Sequence, residues 1–439
     1  MMKRWVVIGL LGVLIGVPSW AQTLDACQQL ACDHYPEIRQ YDLIRQSEQY
    51  DLSNAARSWL PQVSFSAQAT WQNRVPEFPS AFSGMLDQAG VSLRGLDKNQ
   101  YKVALEVNQT IWDGGQSQAD RRVIEATADE HRQATEVDLY AVKGRVNDLY
   151  FGILLLEERL GQTDLTIALL QSNLDKVRSL VTNGVAMQTD ADAVEAELLS
   201  VQQQRVQIEA SRESYRRMLE LFIGQRLAER LERPELVEAV SGESARPELV
   251  GAVSGESARP ELAWIDAQQE RLAAQELSVK SATRPRFGVF AQGYYGYPGL
   301  DYFAGMVSTD WTWNALIGVK MSWNFGAYYT KKNRLSNLRV AQQQLDIQRD
   351  VFLFNTDLQV AEEQGNISRL RRALADDDRI VALRRSVREA AESKLRNGVI
   401  DTNDLLRKIT DEASARSARS LREVELLKAI YELKYTINR

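Results

Sequence analysis

Residues 60–72 read Leu-Pro-Gln-Val-Ser-Phe-Ser-Ala-Gln-Ala-Thr-Trp-Gln, and the fold turns on that stretch. Val63, Phe65, Ala67, Ala69 and Trp71 share one face at period two, while Ser64, Ser66, Gln68 and Thr70 take the other. Such length and alternation suit a strand with lipid on one side and water on the other. Further along, 100–112 repeats the pattern, Tyr101, Val103, Leu105 and Val107 alternating with Lys102, Ala104, Glu106 and Asn108. The Pro-, Gly- and Ser-rich residues 74–96 between them suit an external loop. A second pair follows. Residues 286–297 place Phe287, Val289, Ala291 and Tyr295 on one face, and 314–324 set Ile317, Val319, Met321 and Trp323 opposite Leu316, Gly318, Lys320, Ser322 and Asn324. Trp71, Tyr101, Trp112, Tyr294, Tyr295, Trp311, Trp313 and Trp323 gather near strand ends, where amphipathic rings favour the membrane interface. A soluble antiparallel sheet packed on helices would alternate in the same way, so the pattern admits both readings. Four strands cannot close a barrel and lipid tolerates no open edge, so membrane-spanning strands in this number require several chains to pool them.

Around the strands the sequence predicts long helices at 25–58, 116–182, 189–231, 261–282, 328–396 and 402–438. A stretch of about 65 helical residues is about 100 Å long. Heptad spacing shows in Leu170, Leu174, Val177 and Val181, in Val194, Val201, Ile208 and Tyr215, and in Leu426, Ile430, Leu433 and Ile437, which predicts coiled-coil packing. The two halves also repeat. Leu60-Pro61-Gln62 and Ala67-Gln68 are echoed by Arg284-Pro285-Arg286 and Ala291-Gln292 at an offset of 224. Trp112-Asp113-Gly114-Gly115 is echoed by Trp323-Asn324-Phe325-Gly326, and Asn183-Gly184-Val185 with Asp190 by Asn397-Gly398-Val399 with Asp404. Each Asn-Gly predicts a left-handed helix stop, after which Thr189 or Thr402 caps the next helix, giving two helical hairpin tips.

Domain organisation follows from these marks. Lys3 and Arg4, an apolar run at 5–17 and Ser19-Trp20-Ala21 predict a signal peptide at 1–21, whose removal takes the formal charge from -6 to -8. The mature chain is expected to be one elongated protomer of two repeats, 22–231 and 259–439. They are joined by a spacer at 233–258 in which Arg-Pro-Glu-Leu-Val and Ser-Gly-Glu-Ser-Ala occur twice. The acidic balance, 59 Asp and Glu against 53 Lys and Arg, argues against nucleic acid. Two histidines, His34 and His131, and two cysteines, Cys27 and Cys32, assemble neither a zinc ribbon nor a three-histidine centre, and we expect no metal and no cofactor. The cysteines read as small hydrophobes. Gly242-Glu243-Ser244 begins like a nucleophile elbow, but Ala245 and Arg246 follow where glycine is required, and no catalytic constellation is found.

Taken in order, these residues resemble the TolC family of outer membrane efflux proteins over essentially the whole mature chain. The specific parts are Thr23-Leu24-Asp25 through Pro36-Glu37-Ile38, Trp59-Leu60-Pro61-Gln62-Val63, Trp112-Asp113-Gly114-Gly115 and the duplicated tips. The resemblance implies a mainly α chain with a membrane β part. By the same resemblance, long coiled-coil hairpins and four strands per chain are expected to form a homotrimeric α-barrel continuous with one shared 12-strand β-barrel. It also implies an outer-membrane exit duct without enzymatic activity, whose tube stands in the periplasm and docks on a periplasmic adaptor and an inner-membrane pump. The family closes its periplasmic end with inward tips and carboxylate rings, which places Gly184, Thr189, Asp190, Gly398, Asp404 and Arg407 at the expected gate. Leu395 and Ile400 stand where that gate carries an aromatic and a basic partner, and Arg407 replaces a second acidic ring, so a salt-bridged lock is not carried over and Arg407 is available to neutralise Asp404. From the residues alone, each Asp equally suits the first turn of a helix. The alternative function is a periplasmic coiled-coil adaptor without a channel, which accounts for the helices but not for the strand pairs. The transported solute is left open.

Overall fold

The computed structural model describes residues 23–77, 79, 83–85, 90, 95–235, 259–397, 399–400 and 402–438. The expected signal segment, most of the spacer and Gly398 lie outside the described residues. In chain order the elements are α1 (Leu24–His34), a short 3-10 turn (Pro36–Arg39), α2 (Gln40–Arg57), β1 (Gln62–Trp71), β2 (Asn99–Trp112), α3 (Gln116–Thr182) and α4 (Gln188–Ile223). They continue as α5 (Pro260–Ser281), β3 (Arg286–Tyr297), α6 (Tyr302–Val307), β4 (Thr312–Ser322), α7 (Gly326–Arg396) and α8 (Thr402–Ile437).

Several boundaries correct the sequence reading, each for a local reason. The single helix expected at 25–58 is broken because proline disfavours helical backbone in the residue before it, and Tyr35 is accordingly extended (φ -61, ψ 129). Helix α4 stops at Gly224 rather than near 231. Gly224 is left-handed (φ 70), its N–H donates to the Glu220 carbonyl, and a Cβ there would run into the His34 ring. Strand β4 starts two residues earlier than expected and ends two earlier, since the Asn324 carbonyl already accepts from Ala327 at the start of α7. Thr189 is no cap: α4 begins at Gln188, one residue ahead of it, and Thr402 is likewise the first residue within α8.

The described residues fall into two compact units. The first draws on the described residues within Met1–Arg39, Thr135–Pro260 and Val351–Arg439, the second on those within Gln40–Ala134 and Glu261–Asp350. The core of the first is a helical cluster in which Tyr150, Phe151, Ile153, Leu219, Leu427 and Ile430 are almost fully buried. Cys27 lies inside it, and burial pushes its thiol up to about 11, as befits a packed hydrophobe. The predicted heptad Leu170, Leu174, Val177 and Val181 packs with Ala191, Val194 and Leu198 as the seam between α3 and α4. Arg233, which opens the first Arg-Pro-Glu-Leu-Val copy, and Arg259, which opens a shorter Arg-Pro-Glu-Leu after the second, are both anchored here. Arg233 pairs with Glu423 at 3.2 Å and donates to the Ser420 carbonyl, while Arg259 lies over Tyr140 (5.0 Å) and donates to the Thr436 carbonyl at 3.2 Å.

The second unit holds a four-stranded antiparallel sheet of order β1-β2-β3-β4. The two predicted strand pairs are thus joined by β2 against β3, a pairing that sequence alternation alone does not specify. Where β2 passes into α3, Asp113 organises the turn. Its carboxylate accepts the N–H groups of Gly115 (2.9 Å) and Ser117 (2.7 Å), and Gly114 and Gly115 both take positive φ.

Candidate functional site

The register divides the sheet into two chemically opposed faces. Val63 opposes Val107, Phe65 opposes Leu105 and Ala67 opposes Val103, while Val103 in turn opposes Tyr295, and Tyr295 opposes Trp313. Ala291 opposes Ile317, and Val289 opposes Val319, so a single apolar face extends across all four strands. It is uncovered: Phe65 is 73% exposed, Ile317 83% and Val319 75%. Aliphatic side chains occupy the middle of this face and rings occupy its ends. At the end joined by loops, Tyr101 stacks on Trp311 (5.9 Å) and Tyr295 packs on Trp313 (5.0 Å), with Trp71 closing β1. At the end joined to helices, Trp112 packs on Phe287 (5.8 Å) and Trp323 on Phe325 (4.6 Å). An apolar band between two rows of aromatic rings is the side-chain order of a lipid-facing strand surface.

The opposite face is polar. Ser64, Ser66, Gln68, Lys102, Glu106, Asn108, Gln292, Asn314 and Lys320 lie on it in register. A hydrogen-bonded chain crosses its centre. The Lys102 ammonium donates to Gln292 Oε1 (2.9 Å), Gln292 Nε2 donates to Glu106 (3.3 Å), and Asn108 donates to the other Glu106 oxygen (2.8 Å). The sequence reading placed Lys102 and Glu106 on this face but missed their link through Gln292, which needs the β2–β3 register. Both outer strands, β1 and β4, present an unpaired edge in the described sheet.

The hairpin tips belong to the first unit. Gly184 is left-handed (φ 74), with Gly184 N–H donating to the Val181 carbonyl and Val185 N–H to the Leu180 carbonyl, both at 2.9 Å, which is the expected helix stop. The second tip repeats its longer bond, from Val399 N–H to the Lys394 carbonyl at 2.9 Å. Asp190 sits in the first turn of α4, where its carboxylate accepts the Met187 N–H at 3.0 Å, so it holds the cap expected of Thr189. Asp404 lies exposed in the first turn of α8, with exposed Arg407 one turn on. No group of three His, Cys, Asp or Glu suited to a metal ion occurs among the described residues, and no described helix is long and apolar enough to cross a membrane.

A family model described as outer membrane efflux protein matches residues 28–225. Within that stretch the chain is similar to the outer membrane efflux proteins. Structures of such channels share its fold from end to end. The Campylobacter jejuni CmeC outer membrane channel aligns at a TM-score of 0.62 and 14% identity, covering 95% of this chain and 86% of that one. The Vibrio cholerae outer membrane protein VceC aligns at 0.60 and 14%, covering 95% and 98%. The open state of the Neisseria gonorrhoeae MtrE outer membrane channel aligns at 0.57 and 15%, covering 94% and 88%. No curated protein matches the sequence. The two-faced sheet is the part of this chain whose surface chemistry suits lipid.

Proposed function

We propose that this chain is one protomer of an outer-membrane exit duct, passively conducting solute delivered by a periplasmic adaptor and an inner-membrane pump. The observation that carries the reading is the sheet: one continuous uncovered apolar face bounded by aromatic rows, one polar face, and two open edges. A soluble chain would cover that face, and lipid forbids those edges unless other strands occupy them. The closure that satisfies both is a ring of copies in which β4 of one chain meets β1 of the next. Three copies make the 12-strand barrel that the family resemblance implies. In that ring the polar faces line the lumen, and the helical hairpins form the periplasmic tube whose tips meet the adaptor.

Membrane fractionation followed by light-scattering mass of the detergent-extracted protein tests this. An outer-membrane species of about three chain masses is expected for a cyclic trimer. A soluble or inner-membrane monomer would falsify the duct and leave the adaptor reading standing.

A further inference from the structure

We infer that Arg286 and Lys320 make the strand-built part of the duct, at its helix-joined end, favour anionic solutes. The inference rests on the duct reading above and deepens it by naming a substrate class.

The four strands contain four formally charged residues, Lys102, Glu106, Arg286 and Lys320, and the register sets all four on the polar face. Three basic residues against one acidic is the reverse of the whole chain, in which acidic residues outnumber basic ones by 59 to 53. The acidic member is also engaged. Glu106 accepts from Asn108 and Gln292, and Gln292 accepts from Lys102, whose ammonium also lies 4.5 Å from the centre of the Tyr294 ring. Lys102 and Glu106 therefore compensate each other within one network.

Arg286 and Lys320 are left. Both are exposed, and neither pairs with a carboxylate among the described residues. They sit on adjacent strands two register positions apart and so on one face, since Arg286 opposes Ser322 and Lys320 opposes Gly288, which has no side chain to cover it. Both occupy the helix-joined end of the sheet, and each further copy in a ring adds the same two cations at the same level. Uncompensated cations on a low-dielectric wall raise the local concentration of anions and oppose cations. Their reach at physiological salt is a Debye length of about 8 Å, so the effect strengthens as salt is lowered.

The test uses the full mature protein in planar bilayers under a dilute potassium chloride gradient, reading the chloride-to-potassium permeability ratio from the reversal potential. Arg286→Gln with Lys320→Gln is expected to lower that ratio at least twofold, and Arg286→Glu with Lys320→Glu to lower it further. Arg286→Lys with Lys320→Arg keeps both charges and is expected to keep the wild-type ratio. Should the double Gln variant fail to insert, Lys320→Gln alone reads the same quantity from an exposed position. A conducting channel whose ratio is unmoved by loss of charge overturns the inference alone, as does an equal shift in the charge-conserving variant. A wild-type protein that inserts but never conducts overturns the duct reading, and this inference with it.

Discussion

Asp113 shows how a single side chain fixes the passage from strand to helix. Burial acts to raise its carboxyl, but the hydrogen bonds from Ser117 and Gly115 outweigh that and hold it below the ordinary carboxylate range. A lowered folded-state value means that the contribution to stability is present at neutral pH and is lost as pH falls through that value. Asp113→Ala is expected to cost about 1 kcal/mol at neutral pH, the usual worth of an N-terminal cap, whereas Asp113→Ser should retain most of it. Denaturant midpoints of the detergent-solubilised protein read this, and the difference between wild type and Asp113→Ala should close in acid. The sequence marked Trp112-Asp113-Gly114-Gly115 as a repeated signature without assigning the carboxylate its task. Alternation and composition report which face a residue is on, not which backbone N–H its side chain meets.

At the scale of elements, the two long hairpins both combine apolar packing with cross-helix ion pairs, Arg178 with Glu195 and Arg205 with Asp164 on α3–α4, but the second carries more of the pairs. The α3–α4 seam is the apolar heptad cluster around Leu174 and Leu198. The α7–α8 pair is laced by ion pairs. Arg384 meets Asp411 (3.2 Å), Arg388 meets Glu412 (2.5 Å), Arg419 meets Asp378 (2.7 Å) and Arg422 meets Asp377 (2.5 Å). Glu412 is the best enclosed of these carboxylates, 5% exposed between Arg388 and Arg416, and the Arg388 hydrogen bond holds its carboxyl low. Its support is accordingly present at neutral pH and lost as pH falls below the ordinary carboxylate range. Glu412→Gln is expected to lower the thermal midpoint at pH 7 and to converge on wild type in acid, while substitutions in the Leu174 seam should destabilise equally at both. A pH-independent effect of Glu412→Gln would remove the ion-pair account of this hairpin. The heptad on α3 was legible in the sequence because apolar periodicity survives in one dimension. The ion-pair lacing was not, since many Arg and Glu residues lie on these helices and only packing selects the partners.

For the molecule as a whole, the four strands and the first tip were legible, because alternation and the Asn-Gly stop at Gly184 are local signals. The junction of β2 with β3 was not, because it joins residues about 190 apart in the chain by register alone. The tip carboxylates remain open to functional test. Asp190 serves its own helix through the Met187 N–H, a role compatible with a place at a closing tip. Replacing Asp190 and Asp404 together by Ala is expected to change single-channel conductance or cation preference in the inserted protein. Unchanged conduction would confine both to helix capping.

The unpaired edges of the sheet carry a genetic consequence. Strand β1, Gln62–Trp71, contains no charge and no proline, the devices by which free edges are normally blunted. Such an edge accepts any compatible neighbour, including a faulty one. A chain bearing Ser66→Pro should still offer a sound β4 to the next copy while spoiling its own β1, and so enter assemblies that it cannot complete. Expressed alongside wild type in equal amounts, and with the proposed three copies drawn at random, it would leave only about one assembly in eight free of the variant. Inheritance of the defect should therefore be dominant, and the residual export activity of such a mixed strain measures how many chains share one ring.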